Sequence, residues 1–133
     1  MADEKTSKLR ATSPVFLVGD IAATIRWYQA NLGFSARAVP ASPPHAFGIL
    51  ENDDVVIMLQ QLDGYRKPGL YGERDGGVWD VYVRTEGVRE LFRKLSALPD
   101  VEILEPLCPQ EHGAIEFVVR DPNGYVLVFG EPT

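Results

Sequence analysis

The sequence contains one cysteine, Cys108, so it can form no intrachain disulfide and carries no CxxC-type zinc or redox pair. Basic residues are outnumbered, 13 Lys and Arg against 19 Asp and Glu, for a formal charge of −6, and no Lys/Arg-rich run is interleaved with aromatics. Such a chain repels phosphate backbones, so nucleic acid is not an expected partner. Long apolar runs are also missing: stretches such as "VVIML" fall far short of the ~20 residues that cross a bilayer. The opening "MADEKTSKLR" is charged and lacks the apolar centre of a signal peptide, so residues 1–10 read as a loose tail on a protein with no membrane contact. A reduced, cytoplasmic setting fits these absences. Glycines number 12, yet none forms G-x-G-x-x-G after a strand or G-x-x-x-x-G-K-[ST], so no phosphate cradle is indicated.

What is present is a repeat. At 133 residues and 45% hydrophobic content the chain suits one globular domain, taken as 11–133. "PVFLV" (14–18) reads as a strand. Asp20 then caps a helix whose apolar positions Ile21, Ile25, Tyr28 and Leu32 share one face, and Gly33 stops it. "FSARAV", "HAFGIL" and "VVIMLQ" follow as strands, with "ENDD" as the turn between the last two. From "VWDVYVR" (78–84) the βαβββ order begins again. A helix carries Val88, Leu91, Leu95 and Leu98 on one face, and "VEILEP", "AIEFVVR" and "YVLVFG" supply three strands around a "DPNG" turn. The halves align at an offset of 67 through the first strand and helix (Ile21 with Val88, Ile25 with Phe92, Tyr28 with Leu95). At the closing hairpin the offset is 70 (Phe47 with Phe117, Val56 with Val126, Ile57 with Leu127), which places about three extra residues around "PLCPQEHG". The expected layout is module one over about 11–61, a glycine-rich connection over about 62–77 and module two over about 78–132. The connection reads as a plain linker or as a flap over a pocket.

This tandem βαβββ pattern, with "VGDIAATIRWYQANLGF" opening the first unit and "VVRDPNGYVLVF" closing the second, resembles the vicinal oxygen chelate superfamily of glyoxalases, extradiol dioxygenases, epimerases and bleomycin resistance proteins. The resemblance runs from about Ala11 to Pro132 and implies an α+β fold: a curved mixed sheet from both modules, helices on its convex side and a cavity on its concave side. Alternation sorts the strands. Val81, Val83, Val55, Ile57, Leu59, Leu127 and Phe129 belong against the helices, and Trp79 shares the parity of Val81. The neighbours Val15, Leu17, Val56, Met58, Gln60, Asp80, Tyr82, Arg84, Val126 and Val128 belong to the concave side.

The family's metalloenzymes hold their ion on the first and fourth strands of each module, positions that correspond here to Ser13, Met58, Asp80 and Val128. Of these only Asp80 is a plausible ligand, whereas a catalytic divalent ion needs about three hard donors and an open position. His45 and His112 lie in loops, away from the strand positions the family uses. No metal and no other cofactor is therefore expected. The leading reading is a metal-independent, homodimeric small-molecule binding protein like the bleomycin resistance branch, taking a cationic or aromatic ligand in a cavity lined by Ser13, Val15, Met58, Gln60, Asp80, Tyr82, Arg84 and Val128. Two enzymatic readings stay open. One is a lyase or dioxygenase recruiting unconventional donors such as Asp80, Glu116 or His112. The other is metal-free acid/base catalysis through Asp80 with Tyr82 or Arg84, against which stands a plain Asp80–Arg84 ion pair. Ser13 has no partner placed to activate it, and Cys108 is read as lying in a Pro-rich loop without a basic neighbour.

Overall fold

The computed structural model describes residues 6–133. Module one runs β1 (Val15–Val18), α1 (Ile21–Leu32), β2 (Ser35–Val39), β3 (Phe47–Asn52) and β4 (Val55–Gln61). Module two repeats it as β5 (Val81–Arg84), α2 (Val88–Ser96), β6 (Glu102–Pro109), β7 (Ala114–Arg120) and β8 (Val126–Pro132). The strands are hydrogen-bonded as two four-stranded sheets, β1-β4-β3-β2 and β5-β8-β7-β6, each with one parallel pair at β1/β4 or β5/β8. The tandem βαβββ architecture is thus the one the sequence implied, its strands divided between two sheets within the chain.

Local chemistry explains the helix ends. Asp20 accepts the Ala23 amide at 3.0 Å and caps α1, while Gly33, at φ 70°, closes it in the left-handed conformation. Helix α2 has no side-chain cap of its own. Glu131 on β8 supplies one, its carboxylate accepting the amides of Gly87 and Val88 at 3.0 to 3.2 Å.

The helix-facing sides of both sheets join one core. Tyr28, Leu50, Ile57, Leu59, Leu95, Phe117, Val119 and Leu127 are completely buried in it, and Val81 and Val83 pack against it. The modules meet there through α1 and the β7–β8 turn. Tyr28 donates to Asp121, Asn123 to Thr24 Oγ1, and Tyr125 to the Leu17 carbonyl at 2.6 Å. The rings of Phe16 and Tyr125 stack with centroids 4.0 Å apart.

The strand registers refine the internal repeat. Met58 is partnered by Ile49 on β3, and its counterpart Val128 by Val118 on β7, so β3 and β7 align at an offset of 69 while β4 and β8 keep 70. Gly48, not Phe47, therefore corresponds to Phe117, and Phe47 corresponds to Glu116. The physical reason is turn length: four residues lie between the paired Glu51 and Val56, and five between their counterparts Arg120 and Val126, one more. The remaining extra residues are absorbed in β6, which extends through Pro109 with two register shifts. Cys108 accordingly lies within that strand, opposite Glu116, and not in a loop.

Candidate functional site

In each module the sheet face turned away from the helix is the concave one, and the two faces differ sharply. In module one the register brings Met58 beside Val15 and Ile49, and Gln60 beside Leu17 and Phe47. This apolar face is open, with Val15 50% exposed, Gln60 exposed and Met58 half-buried. Ser13 lies ahead of β1, partly buried, where the neighbouring Pro14 carbonyl accepts the Met58 amide.

In module two the connection between the modules crosses the concave face. Its single 3₁₀ turn (Tyr71–Glu73) lays the Tyr71 ring on Val118, Val126 and Val128, and Val128 is wholly covered. The close approach depends on Gly77: at φ +88° it turns the chain back, and a Cβ there would sit 2.3 Å from the Tyr71 ring. Burial, then the nearby Glu105 carboxylate, pushes the Tyr71 phenol above its ordinary pKa. Lys67, from the same segment, reaches Asp80 at 3.3 Å, and its ammonium stands 5.4 Å from the Tyr125 ring centroid. The connection is a strap across the sheet, which favours the flap over the plain linker.

Beside the strap lies a polar cluster. The Tyr82 hydroxyl donates to Glu116 Oε2 at 2.5 Å, and His112 Nε2 meets the same oxygen at 2.9 Å. Glu116 is 4% exposed, a carboxylate almost removed from water whose side-chain partners are a phenol and an imidazole. Gly130, paired with both Glu116 and Arg84, leaves the room: a Cβ at that position would fall 2.0 Å from the Tyr82 hydroxyl. Burial first, and Glu116 second, push the Tyr82 phenol up to about 12, so it stays protonated as the donor. The cluster can bind a cation or hydrogen-bond donor, or accept a proton on Glu116 with His112 as the route to solvent.

Several expected placements are corrected. Asp80 does not pair with Arg84; it holds Lys67 and accepts the Val126 amide at 2.8 Å. Trp79 does not enter the core. It is 43% exposed and its ring lies 5.9 Å from that of Tyr82. Both residues precede the first residue of β5, so strand alternation does not govern them. Arg84, at the exposed end of β5, borders the groove between the modules. His112 is not an ordinary loop histidine, because it reaches Glu116. The sequence flagged Glu116 only as a stray metal donor, although alternation with Phe117 and Val119 sets it on the concave side.

The donor set does not fit a metal. Met58 offers only a soft thioether, Val128 offers hydrocarbon, and the Asp80 carboxylate is taken by Lys67 and a backbone amide. Among the described residues no three His, Cys, Asp or Glu side chains gather where an ion could sit. No helix among them is long and apolar enough to cross a membrane.

Residues 11–129 match the profile of the Glyoxalase/Bleomycin resistance protein/Dioxygenase superfamily. The chain belongs to this superfamily. Solved structures agree on the fold. TioX from Micromonospora sp. ML1 is 20% identical over 93% of this chain and 97% of its own, with a TM-score of 0.70. A glyoxalase-related enzyme from Clostridium phytofermentans is 17% identical over 98% and 100%, with a TM-score of 0.73. The bleomycin-binding protein of Streptomyces verticillus, complexed with copper(II)-bleomycin, is 17% identical over 93% and 97%, with a TM-score of 0.67. No curated protein sequence matches the chain.

Proposed function

We propose that this superfamily member binds and sequesters a small organic molecule without a metal, on concave faces that two copies of the chain complete for each other. The observation that carries the reading is the inequality of the two faces. Module one presents an open apolar surface around Val15 and Met58, while module two presents the Tyr82–Glu116–His112 cluster beside a strapped ledge of valines. Neither face is a closed pocket, and their strands belong to separate sheets, so a homodimer joining module one of one chain to module two of the other would enclose a cavity apolar on one wall and acidic on the other. The acidic wall and the net charge of −6 favour a cationic, flat ligand. The bleomycin-binding relative supports the small-molecule class. Val15, Met58, Gln60 and Tyr82 would line the cavity, with Ser13 at its edge, while Arg84 borders the groove between the modules instead. Val128 would join once Tyr71 moves aside, and Asp80 would hold the strap through Lys67.

Titration calorimetry with metal-free bleomycin and a panel of planar aromatic cations, in chelator, tests the proposal. Saturable binding at up to one ligand per chain, weakened in Glu116→Gln and in Met58→Lys, supports it. Binding that appears only after a divalent metal is added would overturn it.

A second reading, metal-free acid/base catalysis, is favoured by one feature: a nearly buried carboxylate bridging a protonated phenol and a half-exposed imidazole. There Glu116 is the base and Asp80 has no chemical part. Ligand turnover in chelator, abolished by Glu116→Gln, would establish it in place of sequestration.

A further inference from the structure

The pseudo-twofold that relates the modules must generate two equivalent seams between them, and the two are built differently. At the first, the end of β1 (Leu17, Gly19) faces the β7–β8 turn (Asn123, Gly124), with Tyr65 and Lys67 of the strap laid over it; the space left is about 370 Å³. Beneath it the Phe16–Tyr125 stack and the Tyr28–Asp121 bond fill the interface. At the second seam the end of β5 faces the β3–β4 turn, and the groove is about 780 Å³.

The registers identify what is missing. Phe16 lies beside Leu59 on β4 as Val83 lies beside Phe129 on β8, so Val83 replaces Phe16. Val55, first in β4, replaces Tyr125, and Leu95 replaces Tyr28. Three aromatic rings at one seam are three aliphatic side chains at the other, and among the described residues no segment equivalent to the strap lines the second. The difference leaves an apolar floor that includes Leu32, Phe34, Val55, Val83, Leu91 and Phe129.

The rim is charged, and mostly of one sign. Asp53, Asp54 and Glu86 border the groove against the single cation Arg84, and none of the four makes an ion pair among the described residues. An apolar floor under three free carboxylates complements a flat hydrophobic body carrying positive charge at its edge.

We propose that this second seam is a binding site for small amphipathic organic cations, on the helix side of the sheets and separate from the concave faces. The apolar body of the ligand takes the volume that Phe16, Tyr125 and Tyr28 fill at the first seam. Its charge lies toward Asp53 and Asp54 at the turn.

The probe is rhodamine 6G, a planar hydrophobic cation, with fluorescein as its planar anionic counterpart, followed by fluorescence anisotropy in chelator. Rhodamine 6G is expected to bind saturably and fluorescein not to bind. The double variant Val55→Tyr/Val83→Phe, which installs at the open seam the stack that closes the other, should weaken rhodamine 6G about tenfold, or ~1.4 kcal/mol. Asp53→Asn/Asp54→Asn should weaken it about threefold, as loss of exposed charge pairs does. Asp53 sits at φ 51°, a conformation asparagine accepts, so this variant keeps the turn and serves as the test should the filled variant not fold. The substituted residues line the seam and neither concave face, so a loss of binding in these variants is a loss at the seam. Equal binding by wild type and both seam variants, or equal binding of fluorescein, would overturn the assignment. So would a filled variant that changes the sedimentation of the protein while the wild type ignores the dye, because the groove would then be covered by a second copy of the chain.

Discussion

Replacing Tyr28 by Phe removes one oxygen from the middle of the interface between the modules. That hydroxyl is fully buried and donates to Asp121 Oδ2 at 2.6 Å, while Asp121 Oδ1 accepts the amides of Asn123 and Tyr125, each at 2.9 Å. Asp121 is 3% exposed, so the orphaned oxygen would find little water in its place. Leaving a buried acceptor short of a partner costs about 1–3 kcal/mol. At about 4 °C per kcal/mol for a domain of this size, the melting midpoint should fall by roughly 4–12 °C. The loss should also depend on pH. Burial raises the Asp121 pKa, and the bonds from Tyr28 and the turn amides oppose that rise. A carboxyl with a raised folded pKa binds its proton more tightly in the fold. Its ionised form therefore costs stability at neutral pH, and that cost is relieved as pH falls from the raised value toward the ordinary carboxylate range. Without the Tyr28 hydroxyl the pKa rises further, so the deficit of the variant should be largest at neutral pH and shrink on acidification. Urea titrations of both proteins across that range measure it. A deficit below ~0.5 kcal/mol, within the scatter of surface substitutions, or one independent of pH, would refute the argument.

The cap on α2 makes an opposite prediction. The amides of Val88 and Gly87 hold the Glu131 carboxylate below its usual range, so its contribution is present above the unfolded value and is lost as pH falls through the depressed one; Glu131→Gln should flatten that part of the acid limb of a thermal stability profile. Gly77→Ala should push Tyr71 off the valine ledge and strain a positive-φ position, costing about 1–3 kcal/mol and raising binding of a hydrophobic dye, and unchanged dye binding would show that the ring is not held as described. Leu127→Ala, in the completely buried row under the helices, should cost about 2–5 kcal/mol by denaturation.

Much of the fold was legible because the helical and strand periodicities recur in the same order in each half. Asp20 and Gly33 bound α1 as read, and of the period-two rows under the helices Ile57, Leu59, Leu127 and Phe129 are buried while Val55, Val81 and Val83 pack against them, partly buried. The hairpin offset was misjudged by one at β3 because Phe47 and Phe117 look alike in composition, while only the register reveals that the second hairpin has one more residue between equivalent pairs than the first. Site geometry was less legible. Asp80 and Trp79 sit one and two residues ahead of β5, where alternation has no force. The connection was legible as a linker or a flap, but how it is held was not, because Lys67 meets Asp80 and Tyr71 packs on β7 and β8 through contacts that no local pattern encodes. Glu116 was visible as a charge in an apolar strand, but its meeting with Tyr82 and His112 required the tertiary fold.

The most direct test of metal-free small-molecule binding is a thermal-shift titration with metal-free bleomycin and the planar cation panel, run in chelator on wild type and Glu116→Gln. A ligand that binds only the folded state raises the midpoint, by the equivalent of ~2.7 kcal/mol at a hundred times its Kd. The account predicts such a rise in chelator for wild type and a smaller one for Glu116→Gln. A rise seen only with added divalent metal, or one of equal size in both proteins, would contradict it.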